Sequence, residues 1–153
     1  MKKIILAVIF LLTTMVVTVS AEQVKRNVRV TEMNGVAEMK SGKSKWTTAA
    51  LGAVLQEGDF IRTKDNSSVV LKLEGEVETA IVEVRPNSQL LIAELNEDKL
   101  AATQNTLLDL ALGKVLITAQ KLHAEKSKFE VKTPTSIVGV RGTTFEVSVE
   151  QVE

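Results

Sequence analysis

The sequence predicts an all-β domain behind an N-terminal export signal, and three observations predict it. Apolar residues recur with period two in short runs, as in half-buried strands. Gly, Asn or Pro marks the corners between runs, at intervals of about ten residues, a spacing typical of all-β folds. The opening residues carry the tripartite pattern of a secretory leader. A sandwich, a barrel and a short β-solenoid all satisfy the strand spacing.

The leader comes first. Met1-Lys2-Lys3 is a short basic start, residues 4–19 are apolar residues and threonines, and Val19-Ser20-Ala21 suits a signal peptidase. Cleavage after Ala21 is expected, leaving residues 22–153 as one mature domain. The competing reading is an uncleaved anchor. The run is slightly short for that, since a span needs about 20 apolar residues. Neither reading leaves room for a cytoplasmic domain before the leader. The expected location is periplasmic or secreted, with membrane contact only if the leader is retained.

Composition narrows the function classes. The chain has 153 residues, suited to one domain, and 44% are hydrophobic. Aromatics are scarce, with four Phe, one Trp and no Tyr, so Val, Leu and Ile must fill the core. Lys and Arg number 19, as do Asp and Glu, so the chain is neutral and has no net basic character to draw nucleic acid. Cysteine is absent, which excludes disulfides, thiolate zinc sites, a cysteine nucleophile and a lipobox anchor.

Residues 24–30 alternate, with Val24, Arg26, Val28 and Val30 on one face. Asn34-Gly35 is a tight-turn dipeptide, and residues 36–40 form the return strand. Residues 41–45, SGKSK, are a polar turn. They are not a phosphate loop: Ala37 stands where the first glycine is required, and no helix pattern follows. Trp46 beside Lys43 and Lys45 either covers one end of the core or stacks on a sugar; the first is the ordinary role of a lone Trp.

Residues 51–55 lead into a turn at Glu57-Gly58-Asp59, residues 60–63 form a short strand, and residues 64–67 turn again. Val69, Leu71 and Leu73 alternate with Val70, Lys72 and Glu74. After a turn at Gly75, a strand is expected over 77–84, a corner at 85–88 and a strand over 89–95. Residues 96–106 break the rhythm. Asn96 could cap a short helix, but an extended loop or hairpin tip is preferred. Leu108, Leu110 and Leu112 alternate, Gly113-Lys114 is expected to turn, and residues 115–118 form another strand. A polar connection, 119–127, follows.

Residues 129–150, FEVKTPTSIVGVRGTTFEVSVE, hold the densest pattern. Phe129, Val131 and Thr133 share a face, and Pro134 ends or bends that strand. Residues 137–140 are apolar around Gly139. Arg141-Gly142-Thr143 makes a corner, where Gly142 tolerates a backbone conformation that Arg or Thr would resist. Phe145, Val147 and Val149 then share a face.

This segment resembles the signature of the FecR domain family: a strand ending in Thr133-Pro134, small and apolar residues, Arg141-Gly142-Thr143, then Phe145 and Val147. Upstream, Leu55-Gln56-Glu57-Gly58-Asp59 and Leu110-Ala111-Leu112-Gly113-Lys114-Val115 resemble that family's Leu-x-x-Gly rhythm. The resemblance runs from about Val30 to the end. It implies a coiled, solenoid-like all-β module and a role in envelope signalling or sensing. Regulatory members carry a cytoplasmic anti-sigma segment and a membrane helix, and meet an outer-membrane receptor. No cytoplasmic segment is expected ahead of so short a basic start, so the expectation reduces to an exported module that binds an envelope protein, such as a receptor or secretion component.

The residues offer little chemistry. His123 is the sole histidine, and no serine lies in a Gly-x-Ser-x-Gly elbow. Glu74, Glu76 and Glu78 could form an acidic patch, but a charged strand edge is the ordinary explanation. No catalytic residue, metal or cofactor is expected. Arg141, with Gly142 and Thr143, is the leading binding candidate, and Trp46 the second. The guanidinium of Arg141 either locks its corner or receives a partner carboxylate in a fork. The alternative function is attachment to a cell-wall or surface glycan through Trp46, Lys43 and Lys45.

Overall fold

The computed structural model describes residues 23–74, 79–121 and 126–150. The expected signal peptide, Glu76, Glu78 and His123 lie outside them. Among the described residues every regular element is a strand, as the period-two runs require. In chain order these are β1 (Gln23–Lys25), β2 (Asn27–Asn34), β3 (Ala37–Ser41), β4 (Thr47–Thr48), β5 (Val54–Leu55), β6 (Asp59–Thr63) and β7 (Ser68–Glu74). There follow β8 (Ala80–Val84), β9 (Gln89–Asp98), β10 (Thr103–Ala119), β11 (Lys128–Lys132), β12 (Ile137–Val140) and β13 (Thr144–Val149).

The main path of neighbours is β4-β3-β6-β9-β10-β8-β7-β2-β5, curled into a half-barrel. Among the described residues only β10 and β11 run parallel; the other pairs are antiparallel. Stacked solenoid coils would pair in parallel, whereas this sheet pairs almost throughout antiparallel and curls into a half-barrel. Its two halves share one core, with Ile61, Leu90 and Ile92 from one and Val28, Leu71 and Val82 from the other, all buried. Each such side chain contributes about 1.5–3 kcal/mol relative to exposure.

β10 belongs to both halves. Its first part pairs with β9 and β11, its second with β8 and β13. The turn expected at Gly113-Lys114 does not form; the strand continues and shifts phase. Thr106, Leu108 and Leu110 point inward before Gly113, and Val115, Ile117 and Ala119 after it. Gly113 takes φ +90, and a Cβ there would stand 2.5 Å from Ser88 Cα. Ser88 Oγ accepts the Lys114 N–H at 2.8 Å and donates to the Lys114 carbonyl at 3.1 Å, which fastens the 85–88 corner under the bend.

Two other expectations change. β2 and β3 are joined at Asn34-Gly35 but do not pair with each other: β2 joins β7 and β5, while β3 joins β6 and β4. The turn therefore moves the chain between halves. Residues 96–106 are neither helix nor long loop. β9 and β10 extend into them, and only 99–102 remain as a hairpin tip, held by the Ala101 N–H donating to Asp98 Oδ1 at 2.9 Å. Of the strand expected over 77–84, residues 77–78 lie outside the described residues, and β8 runs from Ala80 with Ala80, Val82 and Val84 buried as the alternation requires.

Candidate functional site

β11, β12 and β13 complete the sheet on the free side of β10. β11 lies along residues 105–109 of β10, and β13 along residues 113–118. Between them β10 is open, and a groove of about 430 Å³ lies there, lined by Leu112, Thr133, Pro134, Ser148 and Val149 among others. Pro134 ends β11 as expected: Thr133 and Ser136 close the turn, with the Ser136 N–H donating to Thr133 Oγ1 at 3.0 Å.

β12 then returns along β11 as the outermost strand. Ile137 is 64% exposed, Val138 38%, and space beside Gly139 is open. Among the described residues nothing pairs with its outer edge. An unguarded apolar edge is a ready template for another strand.

The corner between β12 and β13 holds three of the sequence candidates. Arg141, Gly142 and Thr143 are all exposed. Gly142 has φ +65, and a Cβ on it would stand 2.8 Å from Lys121 Cα, so both backbone conformation and close approach require glycine. The corner docks through the Ala119 N–H, which donates to the Thr143 carbonyl at 3.0 Å. Arg141 thus stands at the end of the open β12 edge.

Trp46 lies elsewhere and does not cover the core. It packs on the outer face of β3 and β6, where Lys40, Phe60 and Arg62 alternate with inward residues such as Ile61 and Thr63. Its ring meets Phe60 edge to face at 6.4 Å. Arg62 Cζ stands 4.1 Å from the indole centroid, and Lys40 Nζ 5.0 Å. Arg62 is thus an intramolecular cation over the indole ring, the contact that an aromatic face favours. Arg62 also donates to Glu38 Oε2 at 2.6 Å, and Lys64 bonds the same carboxylate at 3.0 Å. Lys64, then Arg62, hold the Glu38 carboxyl below its usual range.

Sequence reasoning did not single out Arg26. Its guanidinium is buried where β1 and β2 meet, donating to Thr106 Oγ1 at 2.9 Å and to Thr79 Oγ1. Burial lowers its pKa, an effect opposed by the charge of Glu97. Glu97 is itself buried on β9. The cluster ties the first strands to β10 and so anchors the chain where it enters the sheet. The available signal was parity: Arg26 shares a face with Val28 and Val30.

Among the described residues no group of three or more His, Cys, Asp and Glu side chains comes together to hold a metal. A family model described as FecR protein matches residues 59–153. The match begins at β6, later than the resemblance read from about Val30, although β2, β3 and β5 share the same core. No curated protein and no solved structure matches the chain.

Proposed function

Because the chain belongs to the FecR protein family, whose general role is in envelope signalling, we propose that it is an exported, non-enzymatic binding module that accepts a strand from an envelope protein along β12. The open edge of β12 carries this reading. Residues 137–140 hold no charge, end one half of the sheet and expose Ile137 and Val138. A partner strand would extend the sheet through main-chain hydrogen bonds, and the two exposed side chains would supply apolar contact. Export rests on the leader, and a receptor or secretion component is the partner class this location offers. The Arg141 corner beside the edge is suited to fix the partner's register.

The test is capture of envelope proteins by residues 22–153, which contain every core residue among those described, with and without Ile137→Glu/Val138→Glu. A partner that pairs with β12 is retained about tenfold less by the double variant, the effect of losing two apolar contacts. Equal retention by both proteins, with both folded by circular dichroism, would place the binding surface elsewhere. Capture that follows the wall polymer and disappears on its digestion would favour the glycan alternative.

A further inference from the structure

The segment that runs from the edge of one half of the sheet to the edge of the other has a composition of its own. Residues 41–55, SGKSKWTTAALGAVL, contain no acidic residue. They leave β3, form β4 as the outermost strand of one half and end in β5 at the limit of the other. Lys43 and Lys45 are exposed, and Lys40 and Arg62 adjoin Trp46. Leu51 is 66% exposed and Val54 40%. Of the nearby acidic groups, Glu38 is paired with Arg62 and Lys64, Asp59 accepts the Gln56 N–H, Glu57 accepts the Leu95 N–H, and Glu32 on β2 is exposed.

A neutral chain with a local strip of cations, a half-buried indole and exposed aliphatic side chains is asymmetric in a particular way. We propose that residues 41–55 dock on an anionic phospholipid surface, independently of the leader and of β12. Lysines would meet lipid phosphates, Trp46 would sit at headgroup depth, and Leu51 and Val54 would enter the acyl boundary. The aliphatic residues decide between a membrane and an acidic protein. Carboxylates would satisfy Lys43 and Lys45 yet leave Leu51 and Val54 in water.

The experiment is sedimentation of residues 22–153 with vesicles of phosphatidylcholine alone or with one third phosphatidylglycerol. Binding should require phosphatidylglycerol and weaken as salt shortens the screening length. Lys43→Ala/Lys45→Ala should reduce binding about twenty-five-fold, at about fivefold for each lysine. Leu51→Ser should reduce it about tenfold, and the Ile137→Glu/Val138→Glu protein should bind like the wild type. Three results would overturn the proposal: equal binding to both vesicles, an unchanged lysine variant, or retention on polyglutamate with no vesicle binding. The last would assign the surface to an acidic protein.

Discussion

β12 and β13 leave the same corner and end the two halves of the sheet, but they present different edges. β13 alternates: Val147 is buried and Val149 half-buried, while Thr144, Glu146 and Ser148 face solvent. Glu146 also reaches Lys114 Nζ at 3.4 Å. Charges on an edge discourage pairing with another chain. β12 has no such guard, since its residues carry no charge and both Ile137 and Val138 are exposed. One strand closes its half of the sheet and the other leaves its half open, with only the three-residue corner between them. The proposed binding capacity is thus a local property of one edge, not of the sheet.

The contrast can be broken or sharpened by substitution. Gly113→Ala should erase it, because β11 and β13 both dock on β10. A Cβ at φ +90 would meet the Ser88 backbone, and a loss of about 3–4 kcal/mol is expected from strain and overpacking, read by urea denaturation. A paired comparison sharpens it. Val147→Ala should cost about 1–2 kcal/mol of stability, whereas Ile137→Ala should stay within about 0.5 kcal/mol. Equal losses would mean that β12 is part of the core. The smallest change in stability, within about 0.5 kcal/mol, is expected for Glu146→Val. It should nevertheless give concentration-dependent self-association by sedimentation, since it removes the guard from β13.

Much of this fold was legible because most of its strands announce themselves locally. Ala80, Val82 and Val84, or Val69, Leu71 and Leu73, alternate without interruption, and Gly142 sits where a corner demands it. The errors came from interactions between residues distant in the chain. Asn34-Gly35 is a sound turn signal, but which strand β3 joins depends on β6. Gly113 looks like a turn because the residues that support its bend, Asn87 and Ser88, lie far upstream. At the candidate site, Arg141 stood out because it lies in a recognisable motif, and the exposure of β12 stayed hidden because an edge is defined by what does not pair with it. Trp46 misled for a related reason: Phe60 and Arg62, which hold its ring, come from another strand.

β10 also sets an order in time. The chain reaches it only after β2, β7 and β8 on one side and β3, β6 and β9 on the other have been made. Until it arrives these groups lack their shared neighbour, and the core between them cannot close. A chain that appears from its N-terminus would therefore complete its tertiary structure only as the last third appears. Contacts of such long sequence separation also place refolding on a scale of about milliseconds to seconds. Until β10 is in place, the edges of β9 and β8 that it covers lack their sheet neighbour.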